Sequence, residues 1–145
     1  MPLRIELAPN ERLIIGEASI RNGPRRAEFI IETKSKVLRE RDIITESEAD
    51  TPCKRLYVTL EAAYLSANPT EAEAQFMAQA NEIMAAAPST KPLIAEVFES
   101  MLNGDYYKAL KRARKLLTYE QRLLAIARGE EAAPQPEAAP IAGAA

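Results

Sequence analysis

Thr45-Glu46-Ser47-Glu48-Ala49-Asp50-Thr51-Pro52, residues 45–52, divides the chain into two kinds of pattern. Thr45 and Glu48 have capping-box spacing, and Thr51-Pro52 repeats the start signal with proline at the first helical position. A helix therefore begins in this stretch. Upstream of it, Leu3, Ile5 and Leu7 alternate with Arg4 and Glu6, the period of a strand with one buried face. Downstream, Cys53, Leu56, Tyr57, Leu60, Ala63 and Tyr64 recur at helical spacing to Ser66.

Working back from residue 45, Pro9-Asn10-Glu11 turns the chain after the first strand. Leu13-Ile14-Ile15 is apolar at consecutive positions, and Gly16 lets the backbone bulge or turn before Ala18 and Ile20 resume the alternation, so a second, kinked strand is expected. Asn22-Gly23 is the dipeptide of a tight hairpin, lengthened here by Pro24. Residues 26–32 and Val37-Leu38 supply further strands. Working forward, Asn68-Pro69 starts a second helix that carries Phe76, Ala80 and Ile83 and ends before Pro88. A third follows Pro92, with Ile94, Val97, Phe98, Met101 and Leu102 on one stripe, and Asn103-Gly104 closes it. Asp105 caps a fourth that runs to Arg128, with Gly129 at its end. From Glu130 onward only Glu, Ala, Pro, Gln, Gly and one Ile occur, too little large apolar surface to offset the entropy of ordering. The fold class expected is α+β. A small antiparallel sheet or partial barrel occupies the β-rich residues 1–44, a bundle of about four helices follows over 45–129, and 130–145 form a disordered tail.

Composition excludes several classes of function. The 145 residues contain no histidine, which removes Ser–His–Asp and Cys–His catalysis and the commonest metal ligand. The single cysteine, Cys53, can form neither an internal disulfide nor a zinc site, as suits a reducing cytoplasm. The start is charged by residue 4, and no apolar run approaches the ~20 residues of a membrane span, so a soluble cytoplasmic protein is expected. No glycine-rich phosphate cradle occurs, and Asp42, Glu46, Glu48 and Asp50 read as first-turn helix carboxylates rather than a cation site. The reading is a non-enzyme without a cofactor. The tyrosines fall on helices, where a packed ring with a wet hydroxyl is the expectation.

The formal net charge of −2 conceals a division. Residues 105–129 hold 7 basic and 2 acidic side chains, and Lys108, Lys111, Arg112 and Lys115 fall at i, i+3, i+4 and i+7, on one helical face with Arg114 and Tyr107 beside them. A merely solubilising face interleaves both signs. This face is therefore a candidate for binding a polyanion or an acidic protein, against the alternative of a solvated exterior. The strand region offers a second set, Arg25, Arg26, Arg39 and Arg41, whose alternative role is cross-strand pairing with the glutamates around them. Ile14, Ile15, Phe29 and Ile31 have limited cover in so small a sheet, and an open edge strand needs protection, so a homodimer is expected.

The opening Met1-Pro2-Leu3-Arg4-Ile5-Glu6-Leu7-Ala8-Pro9-Asn10-Glu11-Arg12, the Ile20-Arg21-Asn22-Gly23 segment, Val37 to Ile43, Ala49 to Tyr57, Ala63-Tyr64-Leu65 and Gly104 to Lys111 together resemble the FlbT family of flagellar biosynthesis repressors. The resemblance implies a post-transcriptional regulator that associates with the 5′ untranslated region of flagellin mRNA, lowers its translation or stability, and works with a FlaF-type partner. It brings no catalytic residues. Asn10 to Gly16 and Val37-Leu38-Arg39-Glu40 are also similar to stretches of the carbon storage regulator family, which binds mRNA leaders through its first and last strands. Of that family's RNA contacts only Arg39 is matched; Leu7 and Ala8 replace a basic pair. The competing reading is an adaptor, a flagellar export or assembly factor that acts only through a partner protein.

Overall fold

The computed structural model describes residues 2–129. Five short strands come first: β1 (Leu3–Leu7), β2 (Arg12–Ile15), β3 (Ala18–Arg21), β4 (Ala27–Ile31) and β5 (Val37–Arg39). They form two antiparallel sheets. β1 pairs with β4, Leu3 opposite Ile31 and Leu7 opposite Ala27, while β2 lies between β3 and β5.

The run Leu13-Ile14-Ile15 is continuous because β2 is covered on both faces. Leu13 and Ile15 join Ile5, Leu7, Phe29, Ile31 and Val37 in a core between the sheets. Ile14, pointing the other way, packs with Leu38 against the helices. β2 and β5 thus belong to both cores and tie the strand region to the helical one. The expected kinked strand is instead two strands. Gly16, at φ +57°, opens a two-residue turn, so that Ile15 pairs with Ala18 across a tight hairpin. Asn22-Gly23 makes no tight hairpin, since β3 and β4 belong to different sheets. The Asn22 side-chain amide instead donates to the carbonyls of Ala8 and Arg25, both at 2.8 Å, and Gly23 O accepts from Asn10 N–H at 2.9 Å.

Two 3₁₀ turns, Glu40–Asp42 and Glu46–Glu48, lead into α1 (Pro52–Leu65), α2 (Thr70–Ala86), α3 (Lys91–Leu102) and α4 (Tyr106–Ala127). The Thr45–Glu48 spacing closes the second 3₁₀ turn, with the Glu48 carboxylate accepting from Thr45 N–H at 2.9 Å. The long helix starts at the second signal, where Thr51 Oγ1 accepts from Lys54 N–H. α1 packs on α2 and α4, and α3 on α4, around fully buried Leu56, Leu60, Phe76, Val97 and Leu116. On α4 the buried apolar positions are Ala109, Leu110, Ala113, Leu116 and Ala125, while Ala127 is exposed. Tyr106 and Leu117 pack partly buried against the same core, because α4 is covered from two sides, by α1 and α3. No helix among the described residues is long and apolar enough to cross a membrane. The expected tail, 130–145, lies outside the described residues.

Candidate nucleic-acid interface

α4 owes its one-signed face to the use made of its two acids. Asp105 caps the helix, accepting from Lys108 N–H at 3.0 Å. Glu120 is buried and caps α1 instead: its carboxylate accepts from Thr51 Oγ1 at 2.5 Å and from Cys53 N–H at 3.1 Å. Burial, with the Glu120 charge adding to it, pushes the Cys53 thiol up to about 12, so Cys53 is an inert apolar residue at this junction. With both carboxylates engaged, the solvent side of α4 carries Lys108, Lys111 and Lys115 and no acid of its own.

The strand region contributes to this face through the turn after β5. Asp42, buried, accepts an ion pair from Lys111 at 3.4 Å and, at its backbone carbonyl, the buried Tyr57 hydroxyl at 2.6 Å. Arg114 donates to the Arg41 carbonyl and lies over the Tyr57 ring, 5.0 Å from its centre. The Tyr57 hydroxyl is held up at about 12, chiefly by burial. Residues about seventy positions apart in sequence are locked together here, and exposed Arg41 is set beside the α4 lysines.

The expected site residues separate on this frame. Lys108, Lys111 and Lys115 share the solvent side of α4, exposed Arg41 precedes the Asp42 that pairs with Lys111, and the side chains of Arg41 and Lys108 have no ion-pair partner among the described residues. Lys115 lies 3.9 Å from Glu96 with two thirds of its side chain in water, a pair of small energy. Arg112 turns away into the α3–α4 contact. Its guanidinium donates to Glu96 O and Glu99 Oε1, both at 2.8 Å, and only 24% of the side chain is exposed. Arg26 pairs with Glu6 across the β1–β4 ribbon at 3.1 Å, as Arg4 pairs with Glu28 at 3.0 Å. Arg39 donates to Glu6 O at 2.5 Å and lies 4.0 Å from Glu11, so it braces the two sheets. Arg25 is exposed on the loop before β4.

Three further groups adjoin the surface. Tyr64, late in α1, and Tyr107, at the start of α4, hold their rings 5.9 Å apart and tilted by 47°. Lys36 lies 5.8 Å from the Tyr64 ring centre, and Lys111 lies 5.0 Å from that of Tyr107. Tyr107 and Asp42 raise the Lys111 pKa against partial desolvation, which keeps the amine charged. Helical spacing flags Tyr107 beside the lysines, but nothing local joins Lys36 or Tyr64 to them. The surface can attract phosphates and presents the partly exposed Tyr107 ring; among the described residues no cluster of three or more acidic or thiol groups could hold a metal.

The model of the family "Flagellar protein FlbT" matches residues 3–124. The chain is 40% identical over 139 residues to a probable flagellum biosynthesis repressor protein FlbT 1 of Bradyrhizobium diazoefficiens, an alignment covering 95% of this chain and 92% of the relative. It is 37% identical to a probable flagellum biosynthesis repressor protein FlbT of Rhodopseudomonas palustris, over 86% of this chain and 98% of that one. Against the flagellum biosynthesis repressor protein FlbT of Caulobacter vibrioides the identity is 31%, over 86% and 90% of the two chains. No solved structure matches. From the first strand to the last turns of α4, this chain belongs to the FlbT family of flagellar proteins.

Proposed function

We propose that the protein represses flagellum synthesis by binding the 5′ untranslated region of flagellin mRNA, so that translation falls or decay follows. The repressor part of this reading rests on the names of its relatives. The observation that carries the RNA part is the α4 face: lysines 108, 111 and 115 with Arg41 beside them, and both acids of the segment drawn off as caps. Such a face neutralises phosphates, which hold a message in place without reading its sequence.

The test leaves Lys111 intact, because it pairs with buried Asp42, and changes Arg41, Lys108 and Lys115 to Gln. Binding of a flagellin leader RNA should weaken at low salt, and its salt dependence should become shallower by about 2 logarithmic units per decade. Changing Arg26 and Arg39 instead should disturb folding more than binding. Unchanged binding by the folded triple variant would remove α4 from the account.

A second reading, the adaptor that reaches the message through a FlaF-type partner, is favoured by an apolar cleft of about 410 Å³. Ile83, Leu123, Leu124 and Ala127 line it between α2 and α4, together with Gln79, whose buried Oε1 has no hydrogen-bond partner. If only the mixture with the partner shifts the RNA, this reading stands and direct binding falls.

A further inference from the structure

We infer that Tyr107 is a stacking platform for an unpaired RNA base, which makes the α4 surface selective for single-stranded segments of its message. The inference rests on the RNA-binding reading above and adds a site to it. A packed ring describes Tyr57, although its hydroxyl is buried rather than wet and donates to Asp42 O. It does not describe Tyr107, which leaves 38% of its surface in water while Ala109 and Leu110 behind it are buried.

The surroundings of Tyr107 suit a base. Tyr64 stands at one side, and its own position is fixed: its hydroxyl lies 3.3 Å from both Val37 N and Val37 O, so the tilted ring pair has one rigid wall. Lys111 is charged and 5.0 Å from the Tyr107 ring centre, and Lys36, which also donates to Ser66 O at 3.2 Å, lies beyond Tyr64. One lysine thus lies over each ring, Lys111 over Tyr107 and Lys36 over Tyr64, close enough to hold the phosphates next to a stacked nucleotide. Lys108 adds a third amine on the same turn of α4. A duplex keeps its bases inside the stack and can use the lysines but not the ring.

The experiment compares three ligands on the full chain by fluorescence anisotropy: labelled oligouridylate, an abasic ribose-phosphate oligomer of the same length, and a duplex RNA. Wild type should prefer oligouridylate over the abasic strand by between about five- and a hundredfold, the range for one stacked base. Tyr107→Ala should bring oligouridylate down to the abasic level and leave the duplex unchanged, and Tyr107→Phe should bind as wild type does. The chain has no tryptophan, so its tyrosine emission should also be quenched by oligouridylate and not by the abasic strand. The abasic comparison and the quenching need no variant, so they decide the matter even if Tyr107→Ala fails to fold. Equal affinity of wild type for oligouridylate and the abasic strand overturns the stacking site while RNA binding stands. An equal loss across all three ligands in a folded Tyr107→Ala protein does the same. Failure of wild type to bind any of them at low salt overturns both readings.

Discussion

Replacing Glu61 by Gln should stabilise the protein above neutral pH and do little below about pH 5. Glu61 lies on the inner side of α1 with 6% of its surface exposed, and its carboxylate accepts from Ile44 N–H at 3.0 Å. Burial raises its pKa from 4.5 to about 7; the Ile44 N–H and Arg114 act downward, and Glu48 and Asp42 act upward. Below pH 4.5 the carboxyl is neutral whether the chain is folded or not. Between there and about 7 the unfolded chain ionises first while the folded one keeps its proton, so stability falls as pH rises, and above 7 the loss is complete. A displacement of that size corresponds to about 3 kcal/mol. Gln keeps an acceptor for Ile44 N–H but cannot ionise. Urea unfolding of the two proteins, followed by circular dichroism, should therefore show the gap between them moving in favour of Gln by about 2 to 3 kcal/mol from about pH 5 to about pH 9. Glu48 and Asp50, whose pKa values are lowered, change stability only below this window and do so in both proteins. A gap independent of pH would mean that Glu61 is not desolvated where the fold places it.

Two buried hydrogen-bonded groups elsewhere in the frame can be removed one at a time. Tyr57→Phe keeps the ring beneath Arg114 but leaves the Asp42 carbonyl without its 2.6 Å donor, and should cost about 1 to 2 kcal/mol in urea unfolding. Glu120→Ala removes the carboxylate bound by Thr51 and Cys53 and should cost about 2 to 4 kcal/mol, detected as a lower midpoint with an unchanged slope. The β1–β4 ribbon has two open edges and exposes Leu3 and Ile30, so sedimentation at micromolar concentration should reveal a dimer; a monomer at all concentrations would remove that expectation.

The helix boundaries were legible because they are written in local chemistry. Thr51-Pro52, Pro92, Asp105 and Gly104 each act on backbone groups within a turn of themselves. The strand region was legible in its strands and less so in its turns. Gly16 suits a bulge and a turn equally by conformation, and the choice is made by Ile14 and Leu38 meeting the helices. Asn22-Gly23 has a hairpin's composition, but its amide is used by Ala8, fourteen residues away, which no dipeptide rule can see. The basic face shows the same limit. Spacing places Lys108, Lys111, Arg112 and Lys115 together, yet it carries no information on which neighbour covers the edge of that face, and α3 takes Arg112. Arg41, Asp42, Lys36 and Tyr64 join the surface only through the packing of the β5 turn and α1 on α4.

Direct binding of the message through its phosphates, by this protein alone, is tested by the salt dependence of RNA affinity. Purified protein, without any partner, is titrated with a flagellin leader RNA at several salt concentrations. Engagement by Lys36, Arg41, Lys108, Lys111 and Lys115 predicts that the logarithm of the affinity falls linearly against the logarithm of salt with a slope of about −3.5. A slope near zero, or no binding at low salt until a partner protein is added, would contradict it.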